Sequence, residues 1–186
     1  MDGVLADFSG AYAELSKGVE WRGIPQGEWE MQVRKKYREL SSTPEWWATL
    51  PWCKGGSELS KVATHLFSRV CILSSASTSD PKRFPIVEEG KRLWIKKNVP
   101  QIKDSDVFIV AGKAFKKDYA AKNAILVDDV KETIQNWNSA GGFGILHHSS
   151  HYKETIETLE EITSPMNLGE IAKRLPIMRR SFWKME

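Results

Sequence analysis

The chain has 186 residues, a length that suits one domain or one domain with an inserted subdomain. Hydrophobic residues make up 41% of the chain, which excludes a wholly disordered protein. The net charge is only +3, from 27 basic and 24 acidic residues, and no block of five or six like charges occurs, so a nucleic-acid partner is not expected.

Hydrophobic spacing and turn residues predict helices that alternate with short apolar strands. Residues 1–7 fit the end of a strand that runs into a loop at Gly3. In chain order, the predicted helices are 8–18, 28–40, 46–50, 57–68, 86–98 and 130–139, with a further helix from 153, and the predicted strands are 70–73, 107–110, 124–127 and 143–146. Uninterrupted apolar runs are typical of strands buried on both faces of a parallel sheet. The pattern therefore predicts an α/β fold with right-handed crossovers.

The cysteines and the absence of long apolar segments bear on location. Cys53 and Cys71 form neither a CxxC pair nor a disulfide framework. Cys71 lies in the apolar run 70–73 and is predicted to be a small core residue. We find no signal peptide and no apolar stretch near 18 residues. We therefore expect a cytoplasmic protein with no membrane partner.

Polar side chains stand at three of the predicted strand ends. Asp2 lies at the strand end predicted within residues 1–7. Ser74 and Ser75 follow the run 70–73, and Asp128 and Asp129 follow the run 124–127. The carboxyl ends of parallel strands meet at one edge of the sheet, where such folds bind ligands. Carboxylates without nearby His or Cys favour Mg²⁺, and hydroxyl groups with backbone N–H groups can hold phosphate oxygens. The pattern predicts a magnesium-dependent phosphate site.

A lysine would complete this site by neutralising charge on a transferring phosphoryl group. Lys113, Lys116 and Lys117 stand shortly before the aspartate pair. All three lysines are candidates at this point.

Together these motifs resemble the four-motif signature of the haloacid dehalogenase (HAD) superfamily of phosphatases. More narrowly, the chain is similar to the 5′(3′)-deoxyribonucleotidase-like branch, which has bacterial and phage-type members. The resemblance covers residues 1 to about 148. It is carried by Met1 to Phe8, Leu50 and Pro51, Gly55 and Gly56, Glu58 and Leu59, Ile72 to Ser75, Ile125 to Asp129, Asn136 and Trp137, and Gly141 and Gly142.

The resemblance implies a HAD-like Rossmannoid parallel sheet flanked by helices, with a small helical cap. Residues 1–10 and 57–186 would form the α/β core, and residues 11–56 the cap insertion. It also implies hydrolysis of a small phosphomonoester, most specifically a deoxyribonucleoside monophosphate. There are two alternatives. The chain could hydrolyse another small phosphate, or it could bind a nucleotide or phosphate without catalysis. A homodimer is compatible with the sequence.

The family also implies roles for single residues. Asp2 matches the general acid and base, and its backbone carbonyl would touch Mg²⁺. Ser74 would hold a phosphate oxygen, with Ser75 as the alternate. Lys117 would neutralise charge by its spacing to the aspartate pair, and Lys116 is a close rival.

The metal ligands implied by the family are Asp2, Asp128 and Asp129. Asp128 would bind Mg²⁺ directly, and Asp129 would assist through water. The reaction would pass through an aspartyl-phosphate.

In the family, the nucleophilic aspartate stands two residues before the acid/base aspartate. Because Asp2 matches the acid/base aspartate, the position of the nucleophile falls ahead of Met1. The first explanation is that the chain is a fragment or that its start was placed at an internal methionine. The second is a short product without a nucleophile. We favour the first because the other motifs are intact. Asp7 is no easy substitute, since it lies beyond the Gly3 turn.

Several of these residues have ordinary structural explanations as well. Trp46, Trp47 and Trp52 could form an aromatic wall for a nucleotide base, but core packing is the commoner role of such a cluster. The aspartate pair could cap a helix. His147 and His148 are adjacent on a strand end and should point to opposite sides, so a joint metal site is not expected.

Overall fold

A computed structural model of the protein describes residues 1–17, 25–76 and 80–164. Within them the α-helices are α1 (Phe8–Lys17), α2 (Gln26–Leu40), α3 (Pro44–Ala48), α4 (Gly56–Leu66), α5 (Phe84–Asn98), α6 (Lys131–Ser139) and α7 (Tyr152–Thr163). The strands are β1 (Ile72–Ser75), β2 (Val107–Val110), β3 (Ile125–Asp128) and β4 (Phe143–Leu146). Short 3₁₀ helices cover Pro81–Arg83, Asp104–Asp106, Lys113–Tyr119 and Ser149–His151.

The predicted α/β class is confirmed, and two strands have the predicted bounds. The bounds of β2 and β4 match the apolar runs 107–110 and 143–146. The first long strand begins two residues later than predicted, at Ile72, and Cys71 precedes it as an exposed side chain. The prediction that Cys71 is a core residue is therefore wrong. The end of the first predicted helix at Gly18 and the chain after Ser164 lie outside the described residues.

The strands form two parallel pairs. β1 pairs with β2, with Ile72 opposite Val107, and β3 pairs with β4, with Ile125 opposite Phe143. Helices separate the strands along the chain, as parallel connections require. No helix among the described residues is both long and apolar enough to cross a membrane.

The core is centred on Trp94 of α5, whose side chain is fully buried. Its indole N–H donates to the carbonyl of Leu50 at 2.7 Å, and its ring lies edge-on to Trp52 with the centroids 4.7 Å apart. Helix α3 approaches α5 closely at Gly90, where an added Cβ would lie 2.4 Å from the Cβ of Trp47. Residues 44–52 thus share a core with α5, and the division into a core and a cap at 11–56 stays a prediction.

Candidate active site

Asp2 sits at the start of a tight turn. The carbonyl of Met1 accepts hydrogen bonds from the N–H groups of Leu5 at 2.8 Å and Ala6 at 3.1 Å. Gly3 has a φ of 71°, and a Cβ there would lie 2.0 Å from Oδ2 of Asp129. This position needs glycine on both counts, because its backbone is left-handed and a carboxylate lies where a side chain would go. The turn therefore brings the Asp2 segment against Asp129.

Lys91 of α5 joins this turn to the end of β1, and the sequence reasoning missed it. Its side chain is fully buried. Nζ donates to Oδ2 of Asp2 at 2.6 Å, to Oγ of Ser74 at 3.0 Å and to the carbonyl oxygen of Ser75 at 2.6 Å. Burial lowers the pKa of Lys91, and the charge of Asp2 opposes that shift. One cation thus holds three of the predicted site groups together.

A signal for Lys91 was present in the sequence. On α5 it stands four residues after Val87 and three before Trp94, and both of these side chains are buried. Lysine is almost never fully buried unless it is paired with a partner. A lysine in the middle of an apolar helix face therefore indicates a buried carboxylate or carbonyl nearby.

Lys116 forms the second ion pair of the site, in which both partners are buried. Its Nζ lies 2.6 Å from Oδ2 of Asp128, and the two side chains are 9% and 4% exposed. The other carboxylate oxygen of Asp128 accepts from the N–H of Val130 at 2.9 Å. Lys117, preferred from spacing, is exposed and lies one position further along the same 3₁₀ helix. The geometry brings the rival lysine, Lys116, to the aspartate.

The site holds further ionisable groups besides the two ion pairs. Oδ1 of Asp2 is buried without a hydrogen-bond partner among the described residues. Burial, and then the charge of Asp128, raise the pKa of Asp129. The α-amino group of Met1 is buried in the same place, and this burial with the charge of Lys116 lowers its pKa to about 6. The centre is therefore a compact cluster of opposed charges.

The donor set of this cluster fits Mg²⁺ in its chemistry, since carboxylate and carbonyl oxygens are the ligands that this ion prefers. The unpartnered oxygen of Asp2 supports that fit. Within the described residues, however, no three acidic, His or Cys side chains converge as a ready-made metal site. Lysines hold one oxygen each of Asp2 and Asp128. A bound cation would have to share these carboxylates with Lys91 and Lys116.

The predicted aromatic wall lies beside Lys91. The ring centroid of Trp47 is 5.8 Å from Nζ of Lys91, and its indole N–H donates to the carbonyl of Ser41 at 3.1 Å. Trp47 is buried and stacks on Phe8, with the ring centroids 5.6 Å apart. Trp46 is half-buried and lies edge-on to Trp47, with the centroids 5.0 Å apart. Trp47 is thus built into the packing behind the site, and Trp46 has the freer ring.

The histidines near β4 point to opposite sides, as predicted. His147 is fully buried, with Nδ1 3.0 Å from Oγ1 of Thr155, whereas His148 and His151 are exposed. Burial lowers the pKa of His147 to about 4. A neutral, buried imidazole in this place supports the core.

No protein-family model matches the chain, and no curated protein matches it either. The comparisons therefore show no family for this chain, and the resemblance depends on the sequence motifs.

Proposed function

We propose that the protein is a HAD-type phosphatase, with a Rossmannoid sheet and a helical cap, that hydrolyses small phosphomonoesters with Mg²⁺. The observation that supports this most directly is the position of Lys91, which contacts Asp2, Ser74 and Ser75 at 2.6 to 3.0 Å. The acid/base group Asp2 and the phosphate-binding serines thereby meet around one cation, although Asp2 precedes Ser74 by 72 positions in the sequence.

The proposed phosphate site combines cationic and hydroxyl groups. The Oγ of Ser74 lies next to Lys91 and can donate to a phosphate oxygen. Ser75 meets Lys91 through its backbone carbonyl, and its hydroxyl takes no part in that contact. Lys116 would neutralise charge on the transferring group, and Lys117 stays the rival until both are tested.

In the proposed reaction Asp2 moves the proton. The family's reaction requires a carboxylate two positions before Asp2, and its attack on phosphorus would break the P–O bond to the leaving alcohol. Asp2 gives its proton to that alcohol oxygen and then takes one from the water that hydrolyses the aspartyl-phosphate. Asp2, Asp128 and Asp129 would hold Mg²⁺, whose chemistry there would be to neutralise negative charge on the phosphate.

A deoxyribonucleoside monophosphate is the proposed substrate class. Aromatic rings lie beside the charged cluster, with Trp47 against Lys91 and Trp46 in edge-on contact with Trp47. An aromatic ring can stack on a nucleobase, and Trp46 is half-buried whereas Trp47 is buried. Another small phosphomonoester remains the alternative substrate.

The test is to place an aspartate two positions before Asp2. The chain is extended before Met1 by a short apolar segment that ends in Asp, and the matched control ends in Asn. We expect Mg²⁺-dependent phosphate release from 2′-deoxynucleoside monophosphates by the Asp form, abolished by EDTA, and background release by the Asn form. No release across nucleotides and other small phosphomonoesters would reject catalysis.

Phosphate binding without catalysis is the second candidate, because the cationic and hydroxyl groups of Lys91, Lys116 and Ser74 belong to the site and anion binding needs no nucleophile. Calorimetry with the 186-residue chain and deoxyribonucleotides separates the two. Saturable binding that weakens in Lys91→Met, with no turnover by the Asp-extended form, would favour a binding protein.

A further inference from the structure

A pocket of about 400 Å³ lies beside α4 and the end of α5, apart from the charged cluster. One face of residues 57–65 on α4 lines it, together with Trp52, Asn98 and Gln101. Among the described residues, none of the groups that meet at Lys91 lines this pocket. Asn98 stands about 10 Å further along α5 than Lys91, at a rise of about 1.5 Å per residue. The pocket is therefore a separate place for a ligand, with a volume typical of small-molecule sites.

Two polar side chains of this pocket present hydrogen-bond acceptors. Oγ1 of Thr64 donates to the backbone carbonyls of Ser60 at 2.9 Å and Lys61 at 3.0 Å. Its proton is thus used within α4, and its oxygen is left to accept. Nδ2 of Asn98 donates to the carbonyl of Trp94 at 3.0 Å, and no described residue donates to its Oδ1. A ligand that fits the pocket therefore brings hydrogen-bond donors to both oxygens.

The charges around the pocket do not select an anion. Its basic residues, Lys61 and His65, have exposed side chains, so water screens their attraction for an anion. The pocket also lies at the carboxyl ends of two helices, where the helix dipole is negative, since His65 is in the last turn of α4 and Asn98 ends α5. A phosphate dianion or a carboxylate offers only acceptors, which cannot serve Thr64 and Asn98. The ligand is therefore uncharged and rich in hydroxyl groups, each of which can both donate and accept.

Trp52 supplies the apolar surface of the pocket. Its half-buried ring is held edge-on against Trp94, with the ring centroids 4.7 Å apart. An aromatic ring held in one place can pack against the apolar C–H face of a sugar ring, whose hydroxyls stay free to hydrogen-bond at the sides. We propose that the pocket binds a neutral saccharide of one or two pyranose rings, packed on Trp52, with its hydroxyls donating to Thr64 and Asn98.

The test uses the 186-residue chain and the uncharged saccharides glucose, galactose, N-acetylglucosamine and maltose. Saturation-transfer NMR reports which sugar protons contact the protein, and amide shifts of isotope-labelled protein locate the contact. Thr64→Val removes an accepting oxygen, and Gln101→Met removes a lining amide at an exposed position, where the fold should be kept. Thr163→Val is the matched control, because Oγ1 of Thr163 makes the same pair of bonds within its own helix, to the carbonyls of Leu159 and Glu160.

We expect saturation transfer to at least one saccharide, with amide shifts at Trp52 and at residues 57–65 and 98–101. The Kd should rise about threefold to tenfold in Thr64→Val, rise also in Gln101→Met, and stay unchanged in Thr163→Val. No transfer to any of these saccharides would overturn the proposal, and so would equal affinities of the two pocket variants and the unsubstituted chain. Shifts at this pocket with inorganic phosphate or 2′-deoxyadenosine, but with no saccharide, would overturn it as well. These readouts involve no turnover, so this proposal and the phosphatase proposal can fail separately.

Discussion

Replacing Lys116 by methionine removes one partner of a buried ion pair and leaves the length of the side chain nearly unchanged. The Lys116 ammonium lies 2.6 Å from Asp128, and both side chains are at most 9% exposed. Removing one partner of a buried pair costs about 3 to 5 kcal/mol, because the remaining charge loses its compensation. We take the lower end, since Asp128 keeps its hydrogen bond from the N–H of Val130.

Urea unfolding followed by tryptophan fluorescence measures this loss. With a slope of about 2 kcal/mol per molar urea, a loss of about 3 kcal/mol lowers the midpoint by about 1.5 M. Lys117→Met is the matched control, because its side chain is exposed and should change stability by less than about 0.5 kcal/mol. In the double variant Lys116→Met with Asp128→Asn, part of the loss should be recovered, since no uncompensated charge remains.

The reasoning would be refuted by a Lys116→Met midpoint close to that of the unsubstituted chain. It would also be refuted if Lys117→Met were equally destabilising, because the 3₁₀ helix would then present the other lysine to Asp128.

Three further outcomes are expected. Lys91→Met should lower the free energy of unfolding by about 3 kcal/mol or more, because Lys91 is fully buried. Lys97→Met, at an exposed position of the same helix, should leave it nearly unchanged. Equal urea midpoints for the two variants would contradict this expectation. Because of His147, the free energy of unfolding should fall by about 3 kcal/mol as the pH drops from 6.5 to 4. The imidazole takes up a proton near pH 6.5 in the unfolded chain, but only near pH 4 where it is buried. Urea unfolding of His147→Asn at several pH values should lack this component, and a profile unchanged by the substitution would show that the imidazole does not contribute. Gly3→Ala should lower the Tm measured by calorimetry, because Gly3 has a left-handed φ of 71° and an added Cβ would lie 2.0 Å from a carboxylate oxygen. The control Gly27→Ala on α2 should be neutral or stabilising, because an added Cβ there would meet no atom within 4 Å. A neutral Gly3→Ala would reject the described turn.

The strands were the most predictable part of the fold. The apolar run of β4 stands between Gly142 and His147, and that of β2 begins after Asp106 and ends just before Ala111 and Gly112, so the composition indicates both strands. The bounds of β1 depend on pairing, which places Ile72 opposite Val107 and leaves Cys71 outside the ladder. Apolar character indicates that a strand exists, but the partner strand decides where it begins.

The predicted strand-end groups lie together, but the cations between them could not be chosen from the sequence alone. Asp2 and Lys91 are 89 positions apart, so no local spacing rule relates them. Lys116 and Lys117 differ by one position, and the turn of a 3₁₀ helix decides which one is buried. Neighbouring residues on such a turn face different directions, so the choice depends on how that segment docks.

The three contacts of Lys91 have a consequence for mutational screening. Because this one ammonium ties the amino-terminal turn to the end of β1, folded protein and an intact site depend on the same hydrogen bonds. A library selected only for cellular abundance would therefore already be depleted of most Lys91 substitutions. Intolerance at this position is not by itself evidence of a chemical role, and any activity score for it has to be normalised to the amount of folded protein.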